Sequence, residues 1–231
     1  MEKNFITNKE EVSQQNTKRY PVALRIPAQV ISYIFHPLFI PVIAAWYLAF
    51  VHQGYFVGIT PHAKLFIIIR IAYSTIFFPA FTVLLLKGLG FIDSIFLKTQ
   101  RERIIPYVAA NFFYFWIYLV FRSQHEVPAI LTAFIFGVFL SSSVALIANS
   151  YFKISMHALG VGALSGLLIL IIFTGSPYSV FLAAMIVFLI TGLVCTSRLI
   201  LGDHYPFDIY AGLFFGIICQ VISAAFIWFS N

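Results

Sequence analysis

A chain of 231 residues that is 61% hydrophobic and only 10% charged, with a mean hydropathy of +0.95, cannot close its apolar surface against water. This excludes a soluble globular domain and makes lipid the expected solvent. The formal charge of +6 suits contact with anionic headgroups; nucleic acid is not an expected partner, because no basic stripe with interleaved aromatics is present.

Residues 1–27 read as a polar tail, with Lys3, Lys9, Lys18, Arg19 and Arg25 against Glu2, Glu10 and Glu11. Its start is expected to be disordered, and it lacks the apolar stretch of a cleavable signal peptide. Residues 28–231 read as one transmembrane domain. A first span, about Ile31–Val51, is interrupted by His36-Pro37 and by Pro41, since proline removes a helix donor and kinks the chain. His36 is expected in a hydrogen-bonded kink rather than lining a pathway. A loop, Gln53–Lys64, leads to a second span, about Leu65–Leu86, with Arg70 near enough to its start to snorkel to the headgroups. The polar stretch Lys87–Arg103 follows. Spans at about Ile104–Phe121 and Pro128–Ala148 are joined by Arg122–Val127. Asn149–His157 opens a fifth span, Met156–Phe173, and Thr174–Ser179 is a turn. A sixth span, Val180–Thr196, runs into a second polar motif before the seventh, Phe207–Phe229. The fold class is all-α, a polytopic bundle of six or seven spans, each of about 17–23 residues, the length a bilayer demands. The apolar runs are continuous, which argues against a barrel of alternating strands. Cys195 and Cys219 read as packing residues. Gly162-x3-Gly166 and Gly212-x3-Gly216 read as small-residue seams between helices.

Counting spans from the tail puts Lys87–Arg103, Lys153–His157 and Ser197–Asp208 on one membrane surface, so they are expected to form a composite site. Ser155 is placed to cap the fifth helix, and Pro206 suits the first turn of the seventh. His157 and His204 thus lie near helix N-termini, where free N–H groups favour an anion. Lys98, Arg101, Arg103, Lys153 and Arg198 add positive charge, and the ligand implied is a phosphate at headgroup level. Asp208, four residues after His204, can fix the imidazole tautomer. Two histidines at a phosphate suggest that one attacks phosphorus while the other, protonated, serves the leaving oxygen. No metal is expected, because Asp93, Glu102, Asp203 and Asp208 are the only acids on this face beyond the tail and cations crowd them. Asp203 is expected to cap the last helix, Arg101 and Glu102 to form a solvated pair, and His52, His62 and His125 to be solvated on the opposite side.

Ser197-Arg198-x5-His204-x3-Asp208, with Gly202, Tyr205-Pro206 and Ala211-Gly212, resembles the third signature of the type 2 phosphatidic acid phosphatase (PAP2) superfamily. Ile154-Ser155-Met156-His157 resembles the second signature, Pro-Ser-Gly-His, with Met where the family has Gly. Lys98 and Arg103 resemble the first, Lys-x6-Arg-Pro, although they stand five apart rather than seven. The resemblance implies that His204 is the nucleophile, Asp208 its orienting partner and His157 the general acid. It further implies phosphate binding by Arg198, Ser155, Lys98 and Arg103, with Ser197 and Lys153 beside them.

The expected function is hydrolysis of a lipid phosphomonoester or diphosphate through a phosphohistidine, with no cofactor. The partners are the lipid phosphate and the surrounding membrane lipids. Phosphatidic acid, phosphatidylglycerol phosphate, a polyprenyl diphosphate such as undecaprenyl diphosphate and a phosphorylated glycolipid all remain open, as does oligomeric state. Transfer to another lipid would use the same histidines; a non-catalytic lipid-phosphate binder or carrier is the rival from another class. The chain is expected in a bacterial inner membrane. Its excess of Lys and Arg on the site's side points to the cytoplasmic face, whereas bacterial relatives commonly work on the outer one.

Overall fold

The computed structural model describes residues 20–230 apart from 96, 98, 99 and 175–179. Most of the tail, Lys98 and nearly all of the turn expected at Thr174–Ser179 therefore lie outside the described residues. Those residues contain nine α-helices and no strand: α1 Val22–Ile34, α2 Ile40–Trp46, α3 Pro61–Ala72, α4 Phe78–Gly88, α5 Gln100–Arg122, α6 Ala129–Ala148, α7 Met156–Phe173, α8 Phe181–Leu201 and α9 Pro206–Ser230. They make seven helical segments long and apolar enough to cross a membrane, so this is a multi-pass membrane protein. Two of the segments are composite. Val22–Val51 joins α1 to α2 and ends in a π turn at Tyr47–Val51; Pro61–Gly88 joins α3 to α4 through a π turn at Tyr73–Phe77.

The first segment starts at Val22, inside the expected tail, because Val22, Ala23, Leu24 and Ile26 extend the apolar run and Pro27 is accommodated within the helix. It then breaks where expected. Pro37 steers the residue before it away from helical geometry, and His36 is extended, at φ −63° and ψ 139°. The His36 Nδ1 accepts from the Leu38 N–H at 3.4 Å, which closes the kink. Ala28 and Ser32, four residues apart on one face, are the buried side chains of α1, which packs along α8.

The centre of the bundle is α7, packed against α9 through glycines. A Cβ at Gly162 would lie 2.6 Å from the Leu213 carbonyl oxygen, and one at Gly212 would lie 2.7 Å from that of Ser155. Backbones this close leave no room for a methyl, which bears out the small-residue seams. The Ser155 N–H donates to the Asp208 carbonyl at 3.2 Å, tying the starts of these two helices together. Elsewhere, the buried hydroxyls of Ser165 on α7 and Thr191 on α8 share a hydrogen bond of 3.0 Å.

The loops sort into two groups, as the count of spans requires. At one end Tyr55 and Thr174 share a hydrogen bond of 3.0 Å. One expectation fails at that same end and one contact was not foreseen. The helix of Arg70 begins at Pro61, earlier than expected, and the Arg70 NH1 donates to Gln124 Oε1 in the α5–α6 loop at 2.7 Å. His52 is not solvated: it is 2% exposed, stacked on Tyr47 with ring centroids 5.9 Å apart.

Candidate active site

The opposite end gathers the three polar clusters. Helix α8 stops at Gly202, whose φ of 73° is left-handed and easy only for a residue without a side chain. The chain turns through Asp203, His204 and Tyr205, and Pro206 starts α9. His204 is thereby held against the α6–α7 loop and is 7% exposed. Its Nδ1 lies 2.9 Å from the Lys153 carbonyl. A carbonyl only accepts, so Nδ1 carries the proton and Nε2 keeps its lone pair. Burial first, then the charge of Arg198, push the His204 pKa down from its ordinary 6.5 to about 3. The imidazole is neutral at physiological pH.

Asp208 was expected to orient this ring. Its Oδ2 stands 3.9 Å from Nδ1, beyond hydrogen-bond length, and accepts instead from the Tyr205 N–H at 3.0 Å. That is the backward reach of a residue in a helix's first turn. The Lys153 carbonyl makes the orienting contact, and the carboxylate lies behind it.

Arg198 comes from the last turn of α8. Its NH2 donates to Asp203 Oδ2 at 2.6 Å and its NH1 to Ser32 Oγ at 3.5 Å. Asp203 therefore pairs with Arg198, and the reach-back at the start of α9, expected of Asp203, is made by Asp208. The Arg198 Nε is buried and meets no hydrogen-bond partner among the described residues. An orphaned donor on a guanidinium matches an anion. Arg103 and Lys153 complete the positive rim. Burial and the charge of Arg103 hold the Lys153 ammonium below its ordinary value, and the same Arg103 charge is felt at His204. The Arg103 Nε donates to the Leu97 carbonyl at 2.8 Å, so the α4–α5 loop fixes it. Glu102 accepts from the Asp93 N–H at 2.9 Å.

The serines are turned to structural partners. Ser155 is fully buried, and its hydroxyl accepts from Ala158 N–H at 3.4 Å, the expected cap of α7. The Ser197 hydroxyl donates to the Leu193 carbonyl at 2.7 Å, inside its own helix. Lys98 lies outside the described residues.

His157, in the first turn of α7, lies within electrostatic reach of His204 and Arg198. Its Nε2 is 3.1 Å from the Ser32 carbonyl, and its ring meets that of His36 edge-on, centroids 5.4 Å apart. Ser32 and His36 belong to the first segment, which carries no signature. One signal was available: the same count of spans that unites the three clusters also puts the polar start of the first segment on their side.

A family model, that of the PAP2 superfamily, matches residues 141–231 and supports the resemblance over that stretch. It covers Ser155, His157, Arg198, His204 and Asp208, and leaves out Arg103, Ser32 and His36. Members of this superfamily are in general phosphatases, which supports a phosphoester hydrolase. Comparison with curated proteins and with solved structures gave no match.

Proposed function

We propose that this membrane protein, whose residues 141–231 match the PAP2 superfamily, removes phosphate from a lipid phosphomonoester or diphosphate at the membrane surface. The observation that carries this reading is the state of His204: neutral, with its Nδ1–H held by the Lys153 carbonyl and its Nε2 lone pair uncommitted, beside the orphaned Nε of Arg198. A neutral, oriented imidazole next to an anion-binding guanidinium is what in-line attack on phosphorus needs.

In this reading the phosphate enters between Arg198, Arg103 and Lys153 and takes Asp203's place on the guanidinium. His204 Nε2 gives its electron pair to phosphorus. The bond from phosphorus to the lipid oxygen breaks, its electrons stay on that oxygen, and His157, neutral in the free protein and carrying a proton on Nδ1 taken from the incoming phosphate monoanion, supplies the proton. Water then attacks the phosphohistidine while His157 takes a proton back. The phosphorus–nitrogen bond returns its electrons to Nε2, and inorganic phosphate leaves. Asp208, close behind Nδ1, favours the positive charge that the ring carries in between. The cationic rim neutralises the phosphate, so the scheme asks for no metal.

The same reading sets the site on the cytoplasmic face of a bacterial inner membrane. Lys87, Arg101, Arg103, Lys153 and Arg198 gather at the site's end, against Lys64, Arg70 and Arg122 at the other. Phosphate release from a panel of lipid phosphates in detergent, with EDTA present, tests the chemistry. Release is expected from the native protein and a loss of about a thousandfold or more in His204→Ala and His157→Ala. Release only when a second lipid is added would make it a transferase; none at all from folded protein would leave a binder.

A further inference from the structure

Helix α1 ends at Ile34 because Pro37 pulls His36 into extended geometry. An α-helix leaves its last carbonyls without partners. In a continued helix the Ser32 carbonyl would accept from the N–H of residue 36. Here it accepts from His157, 125 residues away, at 3.1 Å. A carbonyl never donates, so this contact fixes the proton on His157 Nε2 and leaves Nδ1 as the nitrogen able to gain or give one. The hydroxyl of the same serine receives Arg198 NH1 at 3.5 Å, and Ser32 is 5% exposed. One residue of the first segment thus touches both the acid and the anion-binding guanidinium of the proposed site.

We infer that the broken end of α1 is the seat of the general acid, with Ser32 as a positioning residue that sets the tautomer of His157 through its carbonyl and steadies Arg198 through its hydroxyl. This rests on the reading of His157 as the acid. Pro37 is the cause of the seat, because it stops the helix one residue before the Ser32 carbonyl would be consumed. His36, the product of the same break, supports the His157 ring edge-on. The titratable and charged groups facing His157 are His36 from the break, Arg198 from α8 and His204 from the turn before α9.

The first test is the tautomer itself. Native protein labelled with nitrogen-15 histidine is compared in detergent with His157→Gln, which assigns the signals. The expected result is a protonated Nε2 and a bare Nδ1 at His157 in the neutral range. Pro37→Ala, which lets position 36 compete for the carbonyl, should blur that tautomer, lower kcat about tenfold and shift the bell-shaped pH–rate profile expected of the His157–His204 pair. Pro27→Ala, on the exposed side of α1, should do none of these. Ser32→Ala keeps the carbonyl, so the tautomer should stand while KM rises about three- to tenfold, and Ser32→Thr should restore it. A proton on Nδ1 in the native protein would overturn the seat, as would Pro37→Ala with native tautomer and native kcat. Native protein that releases no phosphate from any lipid would instead remove the phosphatase reading, and the tautomer would still decide the seat.

Discussion

Arg198 and Asp203 present the competition that a phosphate would have to win at the proposed site. Their ion pair measures 2.6 Å, but the carboxylate side is 48% exposed, so water and salt screen it and its strength is at most about 1 kcal/mol. In the proposed reaction the substrate replaces Asp203 on the guanidinium. Asp203→Asn should therefore lower KM for a lipid phosphate, by no more than about fivefold, the equivalent of about 1 kcal/mol, with kcat nearly unchanged. A raised KM in that variant, measured in mixed micelles, would mean that Asp203 holds Arg198 in place rather than standing in the phosphate's position. The neighbouring imidazole illustrates a different economy. His204 needs no carboxylate in contact to choose its tautomer, since a backbone carbonyl does that without adding charge.

The approach of α7 to α9 fixes how far apart the two histidines can sit, and glycine sets that approach. A Cβ at Gly216 would collide with the Leu159 carbonyl, a backbone atom that cannot swing aside, whereas one at Gly192 would meet nothing within 4 Å. Gly216→Ala should destabilise the detergent-solubilised protein by about 1–3 kcal/mol and lower activity with it. Gly192→Ala, inside a helix and unopposed, should be neutral or stabilising by up to about 1 kcal/mol. Thermal unfolding of the two variants side by side checks the contrast. Features of this kind were legible in the sequence, because a glycine seam, a serine cap at Ser155 and a proline break at Pro37 are local instructions that any bundle must obey. The features that escaped depend on partners far along the chain. Nothing near Arg70 in sequence announces its contact with Gln124, 54 residues away. His52 looked like a loop histidine until the π turn brought Tyr47 beneath it. Ser32 carries no motif, and the atom it lends to His157 belongs to the backbone, so only the count of spans pointed to its side of the membrane.

Over the whole molecule, burying a neutral histidine couples folding to acidity. The folded pKa of His204 lies near 3 and the unfolded value near 6.5, so in the interval between them the unfolded chain binds the extra proton. This contribution to stability is intact above about pH 6.5. It declines as pH falls through the interval, at up to about 1.4 kcal/mol per pH unit, and levels off below about 3. Unfolding midpoints in detergent should drop from pH 7 to pH 4, and His204→Gln should flatten part of that drop; an identical slope in the variant would assign it to other groups. The span count gave the architecture as a whole, but the meeting of α1 and α8, far apart along the chain, has a consequence in time. Ser32 binds Arg198 across 166 residues, so α1 is completed by α8. At about 5–20 residues per second, on the order of ten seconds separate the two during synthesis. Until α8 and α9 are inserted, the nascent protein holds only one half of the proposed site, and the reactivity proposed for it would wait for those two helices.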